Sequence, residues 1–433
     1  MDRLRGWLKE GYGRKLKRLH AWNAWTVLLL AVSGILLSLE AIRGPLGIVR
    51  VWLKQAHIVL GLLSVVLLAL YVPLIAKHLR QLKGRSPQQW NLGIVLLMLA
   101  GWSVSGLLLW QLRQLPPEWS SAALFTHDLF TWVGVPYALY HSVSRSRWLK
   151  REEARERQAQ AAGRRSRLLE AAAASGKPAA EAALPRQPWE SHRLSRRTFV
   201  RLTAAGVLLA ALGPAFYRWL KRATDDGGSA LEAYAGGSDG NRMLPPPEPQ
   251  PASVTPAGGG AQGHFREYTV TRIPSFASDN WEFTIKGLVD HPQRYSWEDF
   301  LKLPRTVQVS DFHCVTGWSV YQVTWEGIAL SQLLELAGVK PEARFVKFYS
   351  GDGVYTDALS LEQAAMEDVM VAVLIDGMPI PQTLGGPVRL VVPKMYAYKS
   401  VKWLQAIELI PKEHIGYWEA RGYDNDAWVK GRT

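Results

Sequence analysis

The chain has 433 residues, enough for two or three domains, and lysine and arginine outnumber acidic residues by 51 to 37. Charged residues make up only 20%, and there are 19 tryptophans, which is typical of membrane helices with interfacial aromatic side chains. The basic excess lies beside apolar runs, so membrane topology explains it better than nucleic-acid binding does. A single cysteine excludes an internal disulfide and a four-thiolate metal site.

Four apolar runs in the first part of the chain approach the roughly 20 residues that a helix needs to cross a bilayer. They are residues 21–39, 57–75, 92–110 and 125–141. Basic residues are concentrated before the first run, between the second and third, and after the fourth. By the positive-inside rule, this asymmetry predicts an all-α transmembrane four-helix bundle with both ends in the cytoplasm.

Histidines are the informative polar residues of this bundle, because ionisable groups at membrane depth are costly and usually functional. His127 and His141 are 14 residues apart in the fourth run, so they share a helix face at a separation of about 21 Å. His57 opens the second run near the outer side, and His20 opens the first run on the cytoplasmic side. Four histidines at two depths suit two stacked haems with paired imidazole ligands.

We therefore expect His57 and His127 to ligate an outer haem b, and His20 and His141 an inner one. Each histidine alone could instead be an interfacial side chain that reaches water. His78 lies among basic residues at a helix end and fits that alternative best, but it is also the rival of His141 as inner ligand.

The stretch RLHAWNA at 18–24, with Ser33-Gly34 downstream, resembles the first helix of the di-haem cytochrome b family of formate dehydrogenases and nickel-iron hydrogenases. The two histidines of the fourth run are similar too, and the resemblance covers about residues 1–150. Small residues such as Gly106 would let a flat macrocycle approach, although ordinary helix packing explains them as well. The resemblance implies electron transfer between an outer enzyme and quinone or quinol.

A basic linker at 151–194, predicted to be solvated, precedes a further membrane signal. The stretch SRRTFVR at 195–201 and the apolar run to residue 220 resemble a twin-arginine export signal, read by the twin-arginine translocase. The alternative is a plain fifth transmembrane helix with a basic inner flank. Both place the rest of the chain outside, where residues 221–262, rich in Gly, Pro and Ser, predict a tether.

The soluble domain is predicted at 263–413, followed by a tail at 414–433. Short alternating apolar runs separated by glycine turns predict strands, with two or three helices between them, and hence an α+β domain with mixed sheets.

This domain carries the only cysteine, in the stretch FHCVTGWS at 312–319. A lone cysteine is most often a buried apolar residue. Here, however, that stretch and the blocks at 325–327, 385–393 and 396–403 resemble the molybdopterin-binding domain of the sulfite-oxidase superfamily. The resemblance implies that Cys314 ligates molybdenum, and a thiolate is a soft ligand suited to a transition metal.

Further cofactor contacts follow from the same resemblance. His313 is expected to contact the pterin. The cofactor phosphate is expected to bind a cluster of cationic and hydroxyl side chains, namely Arg389, Lys399, Ser400 and Lys402. For each cation the alternative is an ordinary surface charge at the end of a strand.

One departure separates this chain from the sulfite oxidases. They carry a Gly-Asn-Arg-Arg type run after the metal cysteine, whereas residues 315–318 here are VTGW, and this chain ends soon after the domain. Both features look more like the bacterial periplasmic branch that includes the methionine-sulfoxide reductase catalytic subunit. Trp318, Tyr355 and Tyr396 are candidates for an otherwise unassigned substrate pocket.

Together these features predict a molybdenum-dependent oxidoreductase of the bacterial inner membrane with a periplasmic C-terminal domain. It would transfer an oxygen atom to or from a small-molecule or protein-borne substrate, with sulfoxide reduction favoured, and exchange electrons with quinone through two b haems. Sulfite-type oxidation is one alternative. A haem protein that docks a separate enzyme is another.

Overall fold

The computed structural model describes residues 11–38, 49–144, 196–224, 231 and 240–430, with a few isolated positions between 155 and 173. The chain forms two compact units: Met1–Asp128 together with Arg222–Thr433, and Leu129–Lys221. The predicted linker at 151–194 and Ser195 of the twin-arginine stretch lie almost entirely outside the described residues.

Five long helices carry the predicted apolar runs. They are α1 (Tyr12–Ser38), α2 (Val49–Gln81), α3 (Ser86–Trp110), α4 (Pro117–Ser144) and α5 (Arg196–Thr224). Of these described helices, α1 to α3 are long and apolar enough to cross a membrane. Each helix is longer than its predicted run, because hydropathy marks only the apolar part of a helix and misses its polar end turns.

The predicted α+β domain is confirmed, but only one of its two sheets is mixed. Its strands are β1 (Glu282–Gly287), β2 (Gln293–Ser296), β3 (Thr306–His313), β4 (Ser319–Ala329), β5 (Phe345–Ser350), β6 (Thr356–Ser360), β7 (Met370–Ile375), β8 (Met378–Pro379), β9 (Arg389–Val391) and β10 (Leu404–Ile410). Its helices are α6 (Pro251–Val254), α7 (Trp297–Leu301), α8 (Leu330–Ala337) and α9 (Leu361–Ala364).

The strands form two five-stranded sheets. The first has the order β2-β1-β10-β5-β6, in which only β1 and β10 are parallel. The second has the order β3-β4-β7-β8, and β9 pairs with β7. The apolar side chains of β7 are buried along its whole length, which is expected for a central strand covered on both faces. This core holds the β3–β4 hairpin, at whose turn Cys314 lies.

Two segments outside the predicted bounds of this domain, residues 240–262 and 414–430, have contacts with it. In the described part of the tether, Pro245 accepts a hydrogen bond from the Trp297 indole at 2.8 Å, and Gln250 donates its backbone N–H to Glu326 at 3.0 Å. In the tail, Val429 is buried and bonds Lys394 through the backbone. Low sequence complexity marks the absence of a regular pattern, but a partner surface can still order such a segment.

Candidate functional site

Cys314 opens the turn between β3 and β4, which we call the cysteine turn (residues 314–318). The turn is closed by two backbone bonds, from the Cys314 N–H to the Trp318 carbonyl and from the Gly317 N–H to the Cys314 carbonyl, both 2.9 Å. Gly317 has a φ of +96°, a conformation that favours glycine. The Cys314 thiol is only partly buried and lies 3.2 Å from the Thr316 hydroxyl. A partly exposed thiol on a rigid turn suits a ligand better than a packing residue.

The thiol faces a small pocket formed by residues from distant parts of the chain. Its lining residues are Leu112, Pro117, Ser120, His313, Cys314, Gly317, Ser319 and Tyr396. Of the three tyrosine and tryptophan candidates for the substrate pocket, the structure therefore places Tyr396 in it.

His313 is held beside the cysteine by the hairpin register. It is the last residue of β3, pairs with Ser319 of β4, and is only 2% exposed. Its Nδ1 lies 2.8 Å from the Ser319 hydroxyl, and its Nε2 lies 4.0 Å from an Asp311 oxygen. The imidazole is therefore fixed in orientation next to the thiol, as a cofactor contact requires.

Arg389 is a buried cation at the start of β9, and only 2% of it is exposed. Its guanidinium donates to the carbonyl oxygens of Leu384 at 2.6 Å and Ser400 at 3.3 Å. The same group lies 4.9 Å from the ring centre of Phe312 and 5.4 Å from that of Trp325. Burial lowers its pKa to about 9.

Lys402 is a second cation close to the first. Its amine donates to the carbonyl oxygens of Tyr268 at 3.1 Å and Thr383 at 2.6 Å. Its pKa is lowered to about 7, mainly because burial disfavours the charged amine and also because the guanidinium lies nearby. Glu267 and Cys314 interact with the amine in the opposite direction.

These two cations test whether the residues fit an anionic cofactor. A buried cation is costly unless charged groups compensate it. The hydrogen bonds of Arg389 and Lys402 described above go to neutral carbonyl groups, and Glu267 is an acidic side chain that interacts with the Lys402 amine. A phosphate near Arg389 and Lys402 would supply that compensation. The Cys314 thiol, which interacts with Lys402, would then lie toward the end of the cofactor that carries the metal. The residues thus fit a phosphate-bearing metal cofactor.

Lys399 differs from this prediction. Its buried amine donates to Asp357 at 2.7 Å, Ala358 at 3.0 Å, Glu419 at 3.0 Å and Asn425 at 2.5 Å. Four acceptors already exceed the three N–H groups of an ammonium, so this side chain stabilises the fold instead of reaching a phosphate. The direction of the Lys399 side chain is set by the short 3₁₀ turn Ala397–Lys399, and the spacing of the motif does not show it.

Ser400 is also engaged within the protein. Its hydroxyl accepts the backbone N–H of Val392 at 3.0 Å, and its carbonyl accepts the Arg389 guanidinium. Ser400 thus orients a cofactor-binding candidate through its backbone. Glu267 and Tyr268 were not predicted as site residues. The Tyr268 carbonyl accepts a hydrogen bond from Lys402, and Glu267 interacts electrostatically with the same amine, but nothing in their local sequence indicates these contacts.

The membrane helices contain a separate polar arrangement around His57. Its Nδ1 lies 2.8 Å from the Ser33 hydroxyl, which lies 2.7 Å from the Leu29 carbonyl. Because the hydroxyl has one hydrogen, donation to Leu29 leaves it to accept the Nδ1–H, so the lone pair is on Nε2. Nε2 is then the nitrogen available for metal coordination.

His127 repeats the same arrangement one helix pair later. Its Nδ1 lies 3.0 Å from the Ser105 hydroxyl, which lies 2.6 Å from the Gly101 carbonyl. Each serine precedes a glycine that leaves room for the ring: a Cβ at Gly34 would be 3.3 Å from His57, and one at Gly106 would be 3.6 Å from His127. The repeated Ser-Gly dipeptide is the sequence signal that could have identified these serines as histidine partners.

The structure brings His57 and His127 together, with ring centroids 6.3 Å apart and planes inclined by 77°. The two imidazole rings are thus close enough to contact one shared group.

The other three histidines are placed differently. His78 lies 2.6 Å from the Tyr71 hydroxyl through Nδ1, and it interacts electrostatically with His20. His141 stands in the last turn of α4, in the second compact unit. The choice between His78 and His141 as the partner of His20 stays a prediction.

Comparison with known proteins adds the family. Residues 270–418 match the family described as oxidoreductase molybdopterin binding domain. The chain is 38% identical over 154 residues to the uncharacterized oxidoreductase YuiH of Bacillus subtilis, a match covering 35% of this chain and 77% of that protein.

Two further proteins are similar. The protein-methionine-sulfoxide reductase catalytic subunit MsrP of Campylobacter jejuni is 31% identical over 167 residues, which cover 35% of this chain and 56% of that protein. The sulfane dehydrogenase SoxCD from Paracoccus pantotrophus has a solved structure that matches at a TM-score of 0.34 and 23% identity, covering 44% of this chain and 57% of that one. The chain thus belongs to the family of oxidoreductases with a molybdopterin-binding domain, and it is a molybdopterin-dependent enzyme.

Proposed function

We propose that this enzyme reduces a sulfoxide on the outer side of the bacterial inner membrane, with electrons from the quinol pool. The observation that carries the proposal is the Cys314 thiol, which lines a pocket and interacts with Lys402, a cation that lies near Arg389. A relative with 31% identity bears the name of a methionine-sulfoxide reductase, which favours reduction over sulfite-type oxidation.

The reaction takes up two electrons and two protons, and it converts a sulfoxide to a thioether and water. When bound, molybdenum supplies a centre that changes by two electrons and exchanges an oxygen atom with substrate. Cys314 would hold the metal, while Arg389 and Lys402 would hold the cofactor phosphate. His313, oriented by Ser319, would support the pterin from the side of the cysteine turn.

Electron supply is proposed to run through the membrane helices. His57 and His127 would hold a b haem, and their serine partners would orient the ligand nitrogens. Ser120 lines the Cys314 pocket and stands seven residues before His127 on α4, about 10 Å along the helix. This haem would therefore lie on the side of the bundle nearest the molybdenum.

The remaining parts of the proposal concern the inner side and export. His20 and His141 would hold a second b haem near the quinone site, with His78 as the rival of His141. The twin-arginine stretch at 195–201 would direct export of the folded C-terminal domain to the periplasm.

The test uses the purified full chain in detergent. We expect one molybdenum and two b haems per chain, turnover of a sulfoxide with a reduced viologen dye, and haem reduction by a quinol analogue. Sulfite that reduces the haems, without any sulfoxide turnover, would reverse the proposed direction. Protein devoid of molybdenum after expression with an ample cofactor supply would contradict the proposal as a whole.

A further inference from the structure

The segment that links α3 to α4, taken together with the first residues of α4, lies against the cysteine turn. We call this segment the outer connector (residues 111–121). A Cβ at Gly317 would be 3.4 Å from the Ser120 carbonyl and 3.5 Å from a methyl group of both Leu109 and Leu112. The Ser121 hydroxyl donates to the Gly317 carbonyl at 3.3 Å. The cysteine turn is thus in van der Waals and hydrogen-bond contact with the outer connector and the end of α3.

The outer connector presents one helix face to the domain. Pro117 and Ser120 are buried and Ser121 is partly buried, a spacing of three and four residues that defines a single face. Between them, Trp119 is 61% exposed. Because residues on one face of the connector are buried and Trp119 is exposed, the connector packs against the domain through that face.

Other contacts join the domain to the helices near the connector. Arg266 lies 3.6 Å from Asp128 of α4. At the start of α2, the Arg50 guanidinium lies 4.6 Å from the Tyr268 ring centre, and the Lys54 amine lies 5.3 Å from that of Tyr423. The domain is thus in contact with the start of α2 and with α4 as well as with the connector.

The pocket at Cys314 is consequently built from both parts. The domain supplies His313, Ser319 and Tyr396 to its lining, and the connector supplies Leu112, Pro117 and Ser120. We propose that the outer connector completes the substrate pocket and restricts it to small sulfoxides with compact substituents. This rests on the proposed function, because it takes Cys314 as the reacting centre.

The restriction has a steric cause. The connector residues line the same small pocket as Cys314 and contact the turn at Gly317, so a substrate that approaches the thiol through this pocket must fit beside them. A methionine sulfoxide within a folded protein cannot enter such a pocket while its own chain remains packed. Leu112 is the specificity-determining residue, because its side chain both lines the pocket and meets the turn at Gly317.

The single cysteine makes access directly measurable. The full chain would be prepared in lipid nanodiscs from cells that cannot make molybdopterin, and Cys314 would be labelled with iodoacetamide and with a bulky polyethylene-glycol maleimide. We expect the small reagent to react readily and the bulky one slowly. Leu112→Ala should raise the bulky labelling rate severalfold, and Leu112→Trp should lower both rates. Trp119→Ala, on the exposed face of the same connector, should change neither.

The holoenzyme supplies the second readout. Leu112→Ala should raise kcat/KM for an aryl sulfoxide relative to dimethyl sulfoxide. Bulky labelling of the unaltered chain as fast as in urea, or equal effects of the Leu112 and Trp119 variants, would overturn the proposal. If the labelling rates change as expected in the Leu112 variants but no sulfoxide is turned over, the role of the connector in the pocket is supported and the proposed function is wrong.

Discussion

The cysteine site and the membrane histidine pair are assembled in different ways. Cys314 and His313 are neighbours on one hairpin, and distant cations complete their site. His57 and His127 come from two helix pairs, each with its own Ser-Gly dipeptide. The first site depends on buried charge and the second on neutral hydrogen bonds. Loss of the thiol or of a cation should therefore reduce cofactor retention at the first site, whereas loss of a serine hydroxyl at the second site should change only its redox properties.

The largest effect is expected at the cysteine. Cys314→Ser replaces a soft thiolate by a hydroxyl, so molybdenum should be lost and turnover should fall by ~1,000-fold or more. Metal analysis and dye-linked assays measure this loss. The haem absorbance should be unchanged, since the two sites share no ligand. Retained turnover would exclude Cys314 as the metal ligand.

Removal of either outer histidine comes next. His57→Ala and His127→Ala should each abolish the same haem signal in low-temperature absorbance spectra, because both rings flank one site. His291→Ala, an exposed position in the soluble domain, is the matched control. If the two variants removed different signals, the pairing would be wrong. His78→Ala and His141→Ala should distinguish the rival inner ligands in the same spectra.

The two neighbouring lysines should separate stability from cofactor binding. Lys399→Met leaves Asp357 and Glu419 buried without their cation, which should cost about 3–5 kcal/mol of unfolding free energy. Burial already raises the pKa of Asp357 to about 7 despite the opposing ammonium.

The matched variant, Lys402→Met, should keep the melting temperature and lose molybdopterin. Thermal unfolding and cofactor analysis of both variants test this contrast. Cofactor loss without destabilisation in Lys399→Met would restore the phosphate-binding role that its sequence position predicts.

The smallest effect is expected at the serines. Ser33→Ala and Ser105→Ala remove a hydrogen bond of about 1 kcal/mol that orients each ligand ring. The haem should remain, with a shifted midpoint potential in a redox titration. Thr26→Val is the control, because its hydroxyl makes a comparable bond to the Trp22 carbonyl in α1. An equal shift in that control would deny the serines any specific role.

Much of the architecture could be predicted from local pattern. Hydropathy located the helices although it missed their polar ends, and alternating apolar runs predicted the α+β domain. The Cys314 motif was recognisable because its residues are contiguous. Composition did not reveal that residues 240–262, a segment without a periodic pattern, form hydrogen bonds with the domain.

Side-chain direction was the main quantity that local pattern could not supply. Lys399 and Lys402 are three residues apart, yet the first enters an ion cluster and the second lies near Cys314. The roles of Ser33 and Ser105 likewise required the packing of adjacent helices.

Local pattern is enough to predict the apolar helices, the α+β domain and the cysteine of the family motif, because each depends on residues close together in the chain. The three-dimensional packing shows that Lys402 lies near that cysteine, that His57 and His127 are neighbours, and that the outer connector lines the pocket. These are contacts between distant segments, and their geometry depends on how helices and sheets pack.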